Sequence, residues 1–157
     1  IRSVMACFYY LEFALQLLTE KNKFAIYNTL QKTVTDFFQE SSINPNEIAL
    51  FNRLLNENIH QKPEEEIISG GYVVNSLEAS IWCLLTTESY SQAVLKSVNL
   101  GDDTDTTAAI TGGLAGLLYG YENIPIKWKE ILARYKDIED LALRLGAKFS
   151  GSTSFSN

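Results

Sequence analysis

Residues 99–120 read NLGDDTDTTAAITGGLAGLLYG, and the fold of the chain is decided here. After Gly101 come six consecutive acidic or hydroxyl side chains, Asp102, Asp103, Thr104, Asp105, Thr106 and Thr107. An uncharged, small-residue run with helical spacing follows at once. Asp and Thr oxygens accept the unpaired N–H groups of a first helical turn, so the stretch predicts a helix start. One cap needs one such residue, and six exceed the requirement. Acidic residues there gain about 0.3–1 kcal/mol each from the helix dipole, so a solvated, over-capped start is one reading. The other is an oxygen-rich site for a hard cation such as Mg²⁺, Mn²⁺ or Ca²⁺, because clustered carboxylates repel unless a cation sits among them. In a turn, Asp103 and Asp105 both point inward, and Thr106 adds a neutral oxygen. An EF-hand loop is excluded: opened at Asp103, its sixth position is Ala108 and its twelfth Leu114, where Gly and Glu are required.

Outward from this stretch the periodicity is helical almost throughout. Val4, Cys7, Phe8, Leu11, Ala14, Leu15 and Leu18 recur at three and four and predict the buried face of a first helix. Phe24, Ile26, Tyr27, Leu30, Val34, Phe37 and Phe38 predict a second. A third is expected over 47–55 after Asn44-Pro45-Asn46, with Pro45 suited to a helix start. Residues 56–71 form a polar interruption whose Glu64–Glu66 triplet reads as a solvated turn. Ser69-Gly70-Gly71-Tyr72 then precedes a helix carrying Val73, Leu77, Ile81, Trp82, Leu84 and Leu85. The glycine pair permits positive φ and close approach of a ligand to backbone N–H groups, although a plain inter-helix turn reads the same way. A short helix over 90–98 leads into the Asp/Thr turn. Beyond it, Gly112, Gly116 and Gly120 fall four apart and predict a tightly packed helix face. Two more helices are expected near 126–135 and 138–145. Strand alternation is hardly present. The class is all-α, a compact multi-helix domain over 1–148 with a disordered tail over 149–157.

Composition narrows the function. The chain has 157 residues, 46% hydrophobic and 20% charged, enough for one globular core. A net charge of −6 argues against nucleic-acid or anionic-membrane binding, each of which needs a basic face. Cys7 and Cys83 lie in apolar helical patterns and are expected as buried free thiols. The single histidine, His60, falls in a polar stretch and is expected on the solvated surface, which leaves zinc sites and hydroxyl–histidine triads without material. No signal peptide or membrane span is recognisable, so a cytoplasmic location is expected. The abrupt opening inside an amphipathic helix suggests a fragment of something longer.

Two motifs in order, SGGYVVNSLEASIWCLL over 69–85 and AVLKSVNLGDDTDTTAAITGGLAGLLYG over 93–120, closely resemble the C-terminal half of ADP-ribosylglycohydrolases of the DraG type. That family carries a Gly-Tyr-Val turn and a Leu-Glu-Ala-rich helix before a Gly-x-Asp-Thr-Asp-Thr signature. The resemblance implies an all-α globule with a dinuclear Mg²⁺ or Mn²⁺ centre that hydrolyses the bond joining ADP-ribose to a protein side chain or a related acceptor. By the same resemblance, Asp103, Asp105 and Thr106 are metal ligands. Gly70, Gly71 and Tyr72 line the ADP-ribose cleft, with Tyr72 against the ribose or adenine, and Asp102 stands at a variable position often held by Gly.

The departures from the family are equally specific. Its members are longer, and their N-terminal half supplies a Thr-Asp-Asp-like metal cluster and a glutamate tied to catalysis. Neither Glu64–Glu66 nor Thr86-Thr87-Glu88 has that pattern. The catalytic residues of this chain are therefore unassigned and its site is expected to be incomplete, with the missing half belonging to the parent chain or to a second one. The alternative is a non-catalytic ADP-ribose-binding or crystallin-like structural protein on the same scaffold.

Overall fold

In the computed structural model of the protein, residues 1–150 are described. They fall into two compact units. The first, Ile1–Asn123, holds α1 (Arg2–Leu17), α2 (Lys23–Glu40), α3 (Pro45–Ala49), α4 (Asn52–Asn56), α5 (Val73–Leu85), α6 (Tyr90–Asn99) and α7 (Thr104–Tyr119). The second begins at Ile124 and holds α8 (Ile126–Ile131) and α9 (Tyr135–Ser150). There is no strand among the described residues, and the all-α expectation holds. None of their helices is long and apolar enough to cross a membrane. The tail expected from residue 149 is helical through Ser150 and beyond that lies outside the described residues.

Helix α5 is the axle of the first unit. From Val74 to Leu85 only Asn75 escapes burial, as expected of a helix covered on all sides. It packs against α1, α6 and α7. Its polar residues are spent on holding neighbours. Ser80 Oγ donates to the carbonyls of Ser76 (2.7 Å) and Thr107 (3.1 Å), which ties α5 to α7 across a buried contact. At its far end the buried Lys23 amine donates to the carbonyls of Leu84 and Thr87, capping carbonyls that the helix end leaves open. Glu78 pairs with Arg53 of α4 at 2.7 Å.

Helix starts follow local chemistry. Asn22 Oδ1 accepts from the backbone N–H of Phe24 and Ala25, Asn44 Oδ1 from that of Asn46, and Ser89 Oγ from that of Gln92. The helix expected over 47–55 is instead broken into α3 and α4. Three-residue hydrogen bonds from Leu50 to Glu47 and from Phe51 to Ile48 tighten the chain there. The break turns Phe51 into the core, edge-on to Phe38 with ring centroids 6.0 Å apart.

The face buried by α1 differs from the expected one. Met5, Ala6, Tyr9, Phe13 and Leu17 are buried, whereas Val4, Cys7, Leu11, Leu15 and Leu18 are exposed. The helix is apolar nearly all round, so two stripes fit the periodicity. The stripe with Tyr9 and Phe13 prevails because buried aromatic rings remove the most surface from water. Cys7 is consequently exposed, and only Cys83 is a buried thiol. Burial pushes the Cys83 thiol up to about 12.

The glycine face is corrected too. A Cβ at Gly116 would meet nothing within 4 Å, and Gly120 ends the helix at φ +89°. Gly112 lies at ordinary contact distance from Tyr90 and Val94. The close approach is at Gly113, where a Cβ would collide with the Tyr10 hydroxyl of α1. Helix α7 turns Thr107, Thr111, Leu114 and Ala115 into the core, so of the four-apart glycines only Gly112 meets a neighbouring helix, α6, and without close approach.

His60 is half-buried rather than solvated. A 3-10 turn over Ile59–Gln61 sets the buried Ile59 into the core and swings the imidazole edge-on to Phe24 (5.1 Å) and Tyr27 (6.1 Å). In the second unit, Arg134 adopts φ +59° and its Nε meets Asp137 at 2.7 Å, setting the start of α9.

Candidate functional site

Two turns that are 32 residues apart in sequence form one place in the structure. The turn before α5 and the turn before α7 are cross-bonded: Ser69 Oγ donates to the Gly101 carbonyl (2.9 Å), and the Asp103 N–H donates to the Ser69 carbonyl (3.3 Å). Ser76 Oγ donates to the Gly70 carbonyl (3.0 Å) and fixes the first turn on its own helix.

The glycines serve space rather than dihedral freedom. Gly70 and Gly71 have no positive φ; the left-handed residues are Gly101 (φ +82°) and Asp102 (φ +59°) on the opposing turn. Asp tolerates that region better than most residues do. The two successive left-handed residues carry the Asp102 and Asp103 carboxylates over the glycine pair. A Cβ at Gly70 would stand 3.0 Å from Asp102 Oδ2, and one at Gly71 would stand 3.0 Å from Asp103 Oδ2. Any larger residue at either position would press on a carboxylate.

Asp103 caps α7 by position but makes no side-chain capping bond, which leaves its carboxyl available. It reaches Asp105 instead. Hydrogen bonding with Asp103, then with the backbone N–H groups of Thr106 and of Asp105 itself, holds the Asp105 carboxyl below the usual aspartate range. Asp105 and Thr106 are exposed and Asp103 is half-buried, so the pair opens to solvent. Two of the three carboxylates therefore converge, while Asp102 lies over Gly70. No grouping of three or more His, Cys, Asp or Glu able to hold a metal occurs among the described residues.

Tyr72 is exposed at the start of α5 and does not cap it. Its phenol interacts with Arg2 of α1, whose guanidinium is raised above its ordinary value chiefly by Glu47 and in lesser part by Tyr72. Arg2 grips Glu47 of α3 through two bonds, 2.6 and 3.0 Å. The Ser69 clamp and the Arg2–Glu47 pair were not anticipated from sequence. A serine ahead of Gly-Gly is the only local hint of the first. Nothing in the spacing of residues 2, 47 and 72 signals the second.

Beneath the pair, Thr107 is fully buried, and its Oγ1 has no hydrogen-bond partner while its carbonyl receives both Ser80 Oγ and Thr111 Oγ1. The family model described as ADP-ribosylglycohydrolase matches residues 2–154. The chain belongs to the ADP-ribosylglycohydrolase family. Among curated proteins it is 46% identical over 85 residues to the ADP-ribosylarginine hydrolase Tri1 of Serratia proteamaculans, covering 54% of this chain and 23% of that protein. It is 35% identical over 60 residues to the ADP-ribosyl-[dinitrogen reductase] glycohydrolase of Rhodospirillum rubrum, 38% of this chain and 20% of that one. It is 31% identical over 103 residues to the ADP-ribosylhydrolase ARH3 of Bos taurus, 56% and 28% respectively. The matches thus span about a quarter of the length of these relatives, all of which are named as hydrolases of ADP-ribose linkages.

Proposed function

We propose that this chain carries part of the active site of an ADP-ribosylglycohydrolase. The protein containing it releases ADP-ribose from a modified protein side chain or a related acceptor. The observation that carries this is the apposition of the Gly70-Gly71-Tyr72 turn with the Asp103/Asp105 pair, in a chain whose family and relatives bear that activity.

The donor set fits a hard dication, Mg²⁺ or Mn²⁺, as part of a dinuclear centre. Two carboxylates in hydrogen-bond reach of each other, with no side chain of opposite charge bonded to them, favour either a shared proton or a cation. Asp103 and Asp105 would hold it, and Thr106 would add a neutral oxygen. When bound, such an ion lowers the pKa of a coordinated water and orients ribose hydroxyls. The side chains themselves position and do not transfer protons: carboxylates committed to a cation are poor general acids, so neither aspartate is assigned as nucleophile or acid. Gly70 and Gly71 keep the space above the carboxylates free of side chains. The exposed Tyr72 ring offers a face to the ribose or adenine.

A second reading is a non-catalytic ADP-ribose binder or structural relic. It is favoured by the two converging carboxylates, fewer than a complete metal site needs. Release of ADP-ribose from an ADP-ribosylated arginine peptide, measured for the protein and for Asp105→Ala, separates the two. Turnover that collapses in the variant supports the enzyme. Turnover unchanged in the variant overturns the site assignment. ADP-ribose binding without turnover by the protein that carries all of the domain supports the relic.

A further inference from the structure

Ser69 is buried, 6% exposed, where the two turns meet. Its hydroxyl donates to the Gly101 carbonyl at 2.9 Å, and its own carbonyl accepts the Asp103 N–H at 3.3 Å. One residue thus holds the segment 101–103 at both ends, through one donor and one acceptor. The segment needs such a hold. Gly101 and Asp102 are left-handed, and Asp103 follows at φ −85° and ψ 66°, outside the helical region. Helix α6 has ended at Asn99, and α7 begins only at Thr104. No run of helical hydrogen bonds therefore fixes the residue that carries the carboxylate.

The other bonds nearby do not do this. Ser80 holds α7 itself through the Thr107 carbonyl, below the point at which Asp103 leaves the helix. The Asp103 side chain makes no capping bond that would anchor it. Its direction follows from its backbone, whose N–H is bonded to Ser69. Ser69 in turn belongs to the glycine turn, and the next carbonyl along, that of Gly70, is tied to α5 by Ser76 Oγ. The carboxylate is thereby referred to the turn it overhangs. Groups that orient a metal's ligands without touching the metal typically change its affinity by about 10–100-fold when removed. On the reading of Asp103 and Asp105 as cation ligands, we infer that Ser69 is a positioning residue of the site. It acts through Asp103 rather than on the ion, and sets the ion's affinity by holding Asp103 in register with Asp105 and with the Gly70-Gly71 turn.

The test compares Ser69→Ala with Thr87→Val. The second removes a buried hydroxyl bond, to the Cys83 carbonyl at 2.6 Å, just beyond the end of α5 remote from the site. Each variant loses one such bond, so similar falls in melting temperature are expected. Two readouts on the 157-residue chain separate them. Without metal, hydrogen exchange of the Asp103 amide quickens in Ser69→Ala and keeps the parent's rate in Thr87→Val. With Mn²⁺ alone, followed by the EPR signal of the free ion, affinity falls about tenfold in Ser69→Ala. It is unchanged in Thr87→Val and abolished in Asp105→Ala. Three outcomes overturn the positioning role and leave the metal reading standing: unchanged exchange at Asp103 in Ser69→Ala; affinity kept in Ser69→Ala but lost in Asp105→Ala; or equal loss of affinity in both hydroxyl variants. Mn²⁺ that the parent chain does not bind, or that Asp105→Ala binds as well, overturns the metal reading and the positioning role with it.

Discussion

Gly71 and Asp103 are matched: a Cβ on the former would lie 3.0 Å from Oδ2 of the latter. Gly71→Ala forces the carboxylate to give way by a few tenths of an ångström. Because Gly71 has no positive φ, alanine also restricts the unfolded chain, a gain of about 0.4–1 kcal/mol that offsets the contact. Stability is expected to change little while Mn²⁺ affinity falls. Thermal melting and a Mn²⁺ titration on the same variant check this, and equal loss in both would show a purely structural role.

Metal binding by this chain should be weak. Mg²⁺ takes about six near-octahedral oxygens and sheds water reluctantly. Asp103, Asp105 and Thr106 supply three side-chain groups. Calorimetric titration with Mg²⁺ and Mn²⁺ is expected to show weak occupancy, and an ADP-ribose release assay on the 157-residue chain is expected to show no turnover. Tight binding of two ions, or clear turnover, contradicts the incomplete site.

The glycines of α7 should separate in mutagenesis. Gly116→Ala meets nothing within 4 Å and is expected to stabilise the helix by about 0.5–1 kcal/mol. Gly113→Ala drives its methyl into the Tyr10 hydroxyl and loses that gain as the ring is displaced. Chemical denaturation of the two variants tests the ranking, and a more stable Gly113→Ala would place α1 further from α7.

Alkaline pH should destabilise the first unit. Burial raises the Tyr27 phenol from 10.0 to about 12 and the Cys83 thiol from 9.0 to about 12. A folded-state value above the unfolded one means stability is intact below the unfolded value and is lost as pH climbs toward the folded one. The loss therefore begins near pH 9 and deepens to about 12. In Tyr27→Phe the Glu57 carbonyl keeps the Gln31 amide at 2.8 Å, but the buried Ile59 N–H loses the Tyr27 hydroxyl that accepts from it, so the cost at neutral pH is about 1–3 kcal/mol. Above pH 10 the variant should lose less stability than the parent, as urea unfolding across the pH range would show.

Fold class was legible because most segments carry one clean apolar stripe. It misled at α1, where Val4–Leu11–Leu18 and Met5–Tyr9–Phe13 both satisfy the period and only three-dimensional packing chooses between them. It also misled at residues 50–51, where one buried Phe51 outweighs the continuity of a helix. The candidate site was legible in its residues and not in its geometry. Asp103 and Asp105 stand out by composition, but the apposition of Gly71 with Asp103 is a long-range contact that no local spacing encodes. The four-apart glycines failed for the same reason, since a helical period says which residues share a face and never what that face meets.

The Ser80 hydroxyl, bridging the carbonyls of Ser76 and Thr107, has a mechanical meaning. Each of the two motif-bearing turns begins a helix, and those helices are pinned to one another only one or two turns below the site. The glycine wall and the carboxylate pair are thus two jaws on a common hinge pin and not two independently mobile loops. A hydroxyl in the dry interior joins the Ser69 bonds in setting their separation. Tolerance of the site to drift elsewhere in the chain then depends on a fully buried serine as well as on the acidic residues.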